Sequence, residues 1–224
     1  MTSVVAIRPE PGLASTLKLA AEMGLDVVGQ PLFEIRSLPW DGPTPAEIDA
    51  LLIGSANAIL HGGESLGKYL TKPVHAVGET TAQAAREAGF AIAQVGTGGL
   101  QTVLDSIKKP LRMLRIAGAE HVDLTPPHEI TIETAIAYES VPLALDPDLL
   151  APDGDNALVM LHSAAAARHF AQECDRLGLN RGVITLAVLG PRIAEAAGAG
   201  WKTIHIAPRP SDSALLEMIQ HLCV

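Results

Sequence analysis

The stretches Leu51-Leu52-Ile53-Gly54-Ser55-Ala56-Asn57-Ala58 and Ala157-Leu158-Val159-Met160-Leu161-His162-Ser163-Ala164-Ala165-Ala166 carry the same pattern twice. Each is an apolar run of strand length that stops at a serine and opens into alanines, as a strand followed by a helix start does. Each is then followed by a second strand that stops at a glycine. Residues 74–77 lead to Gly78 and then Glu79-Thr80-Thr81-Ala82-Gln83-Ala84-Ala85-Arg86. Residues 184–189 lead to Gly190 and then Pro191-Arg192-Ile193-Ala194-Glu195-Ala196-Ala197. The chain therefore holds two similar α/β halves, one copy at 51–95 and one at 157–207. In open parallel sheets, ligands bind at the carboxyl ends of the strands. Two halves supply two sets of such ends, and facing one another across a cleft they would clamp something sizeable.

Strand and helix patterns alternate along the rest of the chain, the signature of βαβ architecture. Strands are expected at 4–7, 92–95, 112–117 and 203–207 in addition to those above. A helix at 13–23 stops at Gly24, a C′ residue, and a last helix runs from about 213 to 222. Two β-rich runs, 27–38 and 130–141, are longer than an ordinary strand of about five or six residues. At about 3.3 Å per residue each spans roughly 40 Å, more than one small sheet needs. Both are expected to cross between domains side by side, as a two-stranded ladder. The turn-rich connectors 39–45 and 146–155 support separate domains over one continuous ten-strand sheet. Domain 1 is then 1–37 plus 141–224, with strands 4–7, 27–33, 157–162, 184–189 and 203–207. Domain 2 is 38–140, with strands 51–55, 74–77, 92–95, 112–117 and 130–138. Each is a five-stranded parallel sheet flanked by helices.

Bulk properties narrow the function. Apolar residues make up 48% of the 224 and aromatics only 3%, so the core is built from Ala, Val, Leu and Ile, as central parallel strands require. Net charge is −9, which disfavours a nucleic-acid partner. Small anions remain possible ligands, because arginines and helix N-termini bind carboxylates inside acidic proteins. The apolar runs are too short and too interrupted by charge to span a membrane. Met1-Thr2-Ser3 lacks the basic region of a signal peptide, so the expected location is the cytoplasm. Cys174 and Cys223 lack metal-ligand spacing and read as free thiols.

No phosphate loop, GxGxxG, HExxH or CxxC is present, and Thr97-Gly98-Gly99 is only a weak nucleotide signal. The histidines form no ligand set, so no metal is expected. His162 and Ser163 point to opposite faces if the strand continues, which argues against a Ser–His pair. Instead, several strand ends pass through small or hydroxyl residues into helices: Ser55-Ala56, Gly78 with Thr80 and Thr81, Gly118, Ser163-Ala164, and Gly190. Each is either an ordinary N-cap or an anion-binding turn; the whole set, at equivalent places in two halves, favours ligand binding. Arg8, after the first strand, either grips a carboxylate or closes a salt bridge at the sheet edge. Arg112, Arg115 and Arg192 sit near strand or helix ends, where each alone reads as solvated; Arg192, after Gly190-Pro191, is kept as a substrate-binding candidate with that turn. Tyr138, on the second crossing run, is either a proton donor at the cleft mouth or a hinge tyrosine.

In order and spacing these residues resemble uroporphyrinogen-III synthase over nearly the whole chain. The resemblance rests on Arg8-Pro9-Glu10-Pro11-Gly12, Gly24 with Pro31-Leu32, Ile53-Gly54-Ser55-Ala56-Asn57-Ala58 and Val77-Gly78-Glu79-Thr80-Thr81-Ala82. It continues through Ala88-Gly89-Phe90, Ile116-Ala117-Gly118, Ala137-Tyr138, Ser163 and Leu189-Gly190-Pro191 with Ala194. It implies two flavodoxin-like domains, the first discontinuous, joined by a two-stranded ladder with the active site in the cleft. It also implies a cofactor-free lyase that closes hydroxymethylbilane, a linear tetrapyrrole with eight carboxylates, while inverting the last pyrrole ring and losing water. Tyr138 and Thr81 match family cleft positions. Arg192-Ile193 and Gly54 stand where threonines are common. The expected partner is this polycarboxylate alone, acting on a monomer. The rival readings are a non-catalytic clamp for a small anion, a nucleotide-dependent α/β enzyme weakened by the missing phosphate loops, and a receiver-type domain, disfavoured because Arg8-Pro9 follows the first strand in place of an acidic pair.

Overall fold

The structure, a computed structural model, describes residues 3–150 and 157–222. Met1, Thr2, Cys223 and the 151–155 part of the second connector lie outside the described residues. In chain order the elements are β1 (Ser3–Ala6), α1 (Gly12–Glu22), β2 (Val27–Gly29), β3 (Phe33–Ser37), β4 (Ala50–Ile53), α2 (Ala56–Leu60), α3 (Gly63–Gly67), β5 (Val74–Val77), α4 (Glu79–Glu87) and β6 (Ile92–Gly96). They continue with α5 (Leu100–Ser106), β7 (Leu111–Gly118), β8 (Ile130–Pro142), β9 (Ala157–Leu161), α6 (Ala164–Leu177), β10 (Ile184–Val188), α7 (Pro191–Ala197), β11 (Thr203–Ile206) and α8 (Asp212–Leu222). The chain divides into two units, Met1–Glu34 with Pro142–Val224, and Ile35–Val141. Among the described residues no helix is long and apolar enough to cross a membrane.

The first unit holds a five-stranded sheet in the order β11-β10-β9-β1-β2, parallel throughout. Its middle strand β9 is buried at every position, which is why its sequence is apolar without alternation. The side chains still sort by face, because successive residues of a strand point to opposite sides. Val159 and Leu161 pack with Phe170 of α6. Leu158 and Met160 pack with Leu215, Leu216 and Ile219 of α8 and with Leu13 and Ala20 of α1. Each fully buried Leu, Ile, Val or Phe contributes about 1.5–3 kcal/mol by leaving water, so the sheet's stability is drawn from both faces. Gly24 takes φ 74 just past α1. That left-handed turn, open to glycine without penalty, lets the Leu25 N–H return to the Ala20 carbonyl at 2.9 Å.

The second unit repeats the plan. Its sheet runs β3-β8-β7-β4-β5-β6. The strands β8, β7, β4, β5 and β6 are parallel, with Leu51 of β4 opposite both Leu114 of β7 and Val74 of β5. Leu51 and Ile53 pack toward Ala82 and Ala85 of α4, while Ala50 and Leu52 pack toward Val103 and Leu104 of α5. The edge strand β6 alternates half-buried and exposed positions, as an edge must.

Two expectations about the crossing runs change. The run 27–38 is not one strand but two, β2 and β3, broken at Gln30-Pro31-Leu32. Pro31 has no N–H to give a ladder. The second sheet has six strands and is mixed, not five and parallel. The Leu38 N–H donates to the Ala137 carbonyl and the Leu143 N–H to the Leu32 carbonyl, so numbers rise along β3 as they fall along β8. The expected two-stranded ladder is present, and it forms the antiparallel edge of that sheet. Both passages of the chain between units fall on β3 and β8, at 34/35 and 141/142.

Candidate functional site

Strand β8 is irregular where it matters. Ala117 of β7 lies opposite Ile136, but Gly118 lies opposite Tyr138, so Ala137 is an extra residue. Such a bulge bends a strand and re-aims the next side chain. Here it brings Tyr138 onto the face where Ala135 and Ala137 also pack. The Ala119 N–H then bonds the Tyr138 carbonyl at 2.8 Å, fixing the backbone. The tyrosine ring lies over Gly118 so closely that a Cβ there would sit 2.7 Å from Cε2 and 2.9 Å from Cζ. Glycine at 118 is thus required by the ring, not by backbone torsion.

Tyr138 lines a cavity of about 190 Å³ together with Ser55, Arg115, Gly118 and His121. The imidazole of His61 stands beside the ring at 6.3 Å between centroids, with its Nδ1 3.2 Å from the Ser37 hydroxyl. Burial pulls the His61 pKa below its ordinary value, which favours the neutral ring. Arg115 was expected in solvent, but only 4% of it is exposed. Its Nη1 donates to the Val122 carbonyl at 2.9 Å, its Nε has no partner, and it makes no ion pair among the described residues. Burial lowers its pKa, against smaller opposing effects of Asp123 and Tyr138.

The first unit has a counterpart cavity of about 460 Å³ at the ends of β9 and β10, lined by His162, Ser163, Ala164, Gly190 and Arg192 among others. Ser163 caps α6, its Oγ accepting the Ala166 N–H at 3.1 Å. Ser55 caps α2 in the same way, from the Asn57 N–H at 3.2 Å. Because each hydroxyl accepts in the cap, its own hydrogen remains available to a ligand. The His162 side chain is 5% exposed and its Nε2 is 3.3 Å from Oδ1 of Asp212. The approach is close, but neither ring nitrogen is in hydrogen-bond geometry.

The structure thus gathers Ser55, Gly118 and Tyr138 at one cavity, and Ser163, Ala164, Gly190 and Arg192 at another. Other candidates line neither. Arg8 is committed to Asp212, at 2.9 Å to Oδ2, and to Thr16 at 3.1 Å, so of the two readings of Arg8 the salt bridge is the one observed. Ala56 opens α2. Gly78 precedes α4 with its own N–H bonded to the Gly96 carbonyl. Thr80 is exposed, and Thr81 is buried at 5% exposure. Arg112 is held by Asp49 at the start of β7, the opposite end from Gly118. Sequence reasoning assigns no site role to Arg115, His61, His121, His162 or Asp212. Only Arg115 carried a local signal, a charge inside the apolar run Met113-Leu114-Arg115-Ile116. Among the described residues, no group of three or more His, Cys, Asp or Glu is placed to hold a metal.

A family model described as HEM4, uroporphyrinogen-III synthase HemD, matches residues 14–217. The chain belongs to the uroporphyrinogen-III synthase family. No curated protein sequence matches it significantly. Among solved structures it is similar to uroporphyrinogen-III synthetase from Helicobacter pylori, at 20% identity and a TM-score of 0.68, over 99% of this chain and 100% of that one. It is also similar to a mutant uroporphyrinogen III synthase from the extremely thermophilic bacterium Thermus thermophilus, at 16% identity and a TM-score of 0.50, over 99% of each. At these identities the likeness establishes the family's fold. The residue roles at the cavities rest on the chemistry of this chain's own side chains.

Proposed function

We propose that this chain is a cyclising lyase that converts hydroxymethylbilane to uroporphyrinogen III. The observation that carries the reading is the family match over residues 14–217. The two loop-end cavities support it, and no observation favours a clamp that binds without chemistry. The difficult step is geometric. The hydroxyl at one end of the substrate leaves readily, and the carbon it leaves must then bond the substituted position of the far ring rather than its open one. Holding a flexible chain in that shape is the proximity contribution, worth up to several kcal/mol. Strand-end N–H groups and hydroxyls suit a substrate with eight separated carboxylates.

Tyr138 is the proposed proton donor to the departing hydroxyl. The bulge in β8, Gly118 beneath the ring and His61 beside it fix where that phenol points. As the C–O bond breaks, water leaves with the donated proton. The resulting cation is quenched when the new C–C bond forms at the substituted carbon; the methylene bridge already on that carbon then breaks away and re-forms at the ring's open position, whose hydrogen leaves as the proton. The test is product identity. Hydroxymethylbilane generated enzymatically and left alone closes to the uninverted isomer. With this protein present, the inverted isomer III should dominate; a dominant uninverted isomer would refute the reading.

A further inference from the structure

Arg115 has no part in the chemistry above, yet its setting is unusual. It sits on β7 between Leu114 and Ile116, both buried, and lines the cavity that holds Tyr138. A guanidinium taken out of water is costly unless a counter-charge and hydrogen bonds replace the solvent. Here one carbonyl, that of Val122, is bonded to Nη1. The Nε–Nη2 edge bonds no described residue, and Nε itself is buried without a partner. That edge presents two parallel N–H groups, the fork that matches the two oxygens of a carboxylate. The nearby acids are Asp123 and Glu120, both exposed; Asp123 acts on Arg115 only through space, and Glu120 stands in the cavity lining without an ion pair to it. At about 190 Å³ the cavity is smaller than the roughly 300–1,000 Å³ of sites that enclose a whole ligand, so it suits a short acidic arm rather than a macrocycle.

We infer that Arg115 is the receptor for one acetate or propionate carboxylate of the tetrapyrrole, gripping it beside Tyr138 and so setting which ring end meets the phenol. The inference rests on the uroporphyrinogen-III synthase reading. In the free protein the guanidinium is a buried charge waiting for its counter-ion; the bound carboxylate completes it. A purely structural Arg115, anchoring the 119–124 segment through Val122, would behave in the opposite way when replaced.

The experiment compares wild type, Arg115→Met and Arg115→Lys for melting temperature, for KM and kcat on enzymatically generated hydroxymethylbilane, and for the salt dependence of KM. Arg115→Met removes an uncompensated charge while keeping bulk. Its melting temperature should equal or exceed that of wild type, while KM rises at least tenfold and depends less steeply on salt. Arg115→Lys, which keeps the charge without the fork, should fall between the two in KM. A wild-type KM in Arg115→Met would overturn the inference. So would a melting temperature several degrees lower or a failure to fold, because either would make the residue a scaffold. Failure of the underlying function has a different signature, since wild type itself would then yield no isomer III.

Discussion

Gly118→Ala tests whether the position of the Tyr138 ring controls the rate. The added methyl would lie 2.7 Å from Cε2, 2.9 Å from Cζ and 3.3 Å from Cδ2 of Tyr138. Carbon atoms rest at about 3.5–4.0 Å, so the ring must retreat by about 1 Å. The ring is only half buried and borders a cavity, so it can swing aside rather than strain the strand. The stability loss should stay at about 1 kcal/mol, the low end for overpacking, or roughly 2–4 °C in melting temperature. The hydroxyl, carried by that ring, moves by about the same 1 Å, a misplacement that can cost about a hundredfold in rate. Isomer III formation under saturating substrate is the assay, with Tyr138→Phe as the reference for complete loss of the phenol. The alanine variant should approach the phenylalanine variant in rate while remaining folded. In a Tyr138→Ala background, Gly118→Ala should cost no further stability, because the collision partner is gone. A folded Gly118→Ala protein with the wild-type rate would refute the reasoning, as would a stability cost that persists without the tyrosine.

Two further outcomes concern groups away from that ring. His162 above all, then the Thr16 hydroxyl and Arg8, hold the Asp212 carboxyl down to about 2 from the ordinary 3.8, with burial opposing them. A depressed folded-state pKa stabilises the fold above the unfolded value and is lost as pH falls through the folded one. Asp212→Asn should therefore cost about 2 kcal/mol in urea denaturation at pH 7, and the gap to wild type should narrow from about pH 4 toward pH 2; a gap that is absent at pH 7 or independent of pH would contradict this. Cys174 is wholly buried and its thiol is pushed up to about 12, chiefly by burial. In a peptide map after iodoacetamide treatment it should be unmodified in the native protein and modified after denaturation, because the thiolate is the reactive form.

The parts of the fold legible in the sequence are those written in local period. Runs such as 157–161 and 51–53 are apolar at every position because they are central parallel strands, and the serine and glycine stops after them mark where helices begin. What escaped notice depends on contacts between distant segments. Nothing local distinguishes β3 as the sixth strand of a sheet, since an edge partner is chosen by long-range pairing. The break at Pro31 was visible as a residue, but its weight against a continuous strand was not. The bulge at Ala137 leaves no mark in composition, although it decides where Tyr138 points. Arg115 shows the same limit: a charge amid Leu and Ile fits a strand end in solvent as well as a buried receptor. Ser55 and Ser163 were read in two ways, and the structure finds both capping helices, which still leaves each a hydroxyl hydrogen to offer a ligand.

The account depends on the cavity beside Tyr138 binding the tetrapyrrole. Hydrogen exchange with and without bound uroporphyrinogen III, read by mass spectrometry, tests that most directly. Amides at 118–122, the segment that lines that cavity, should slow when ligand is added. Unchanged exchange at 118–122 would contradict it.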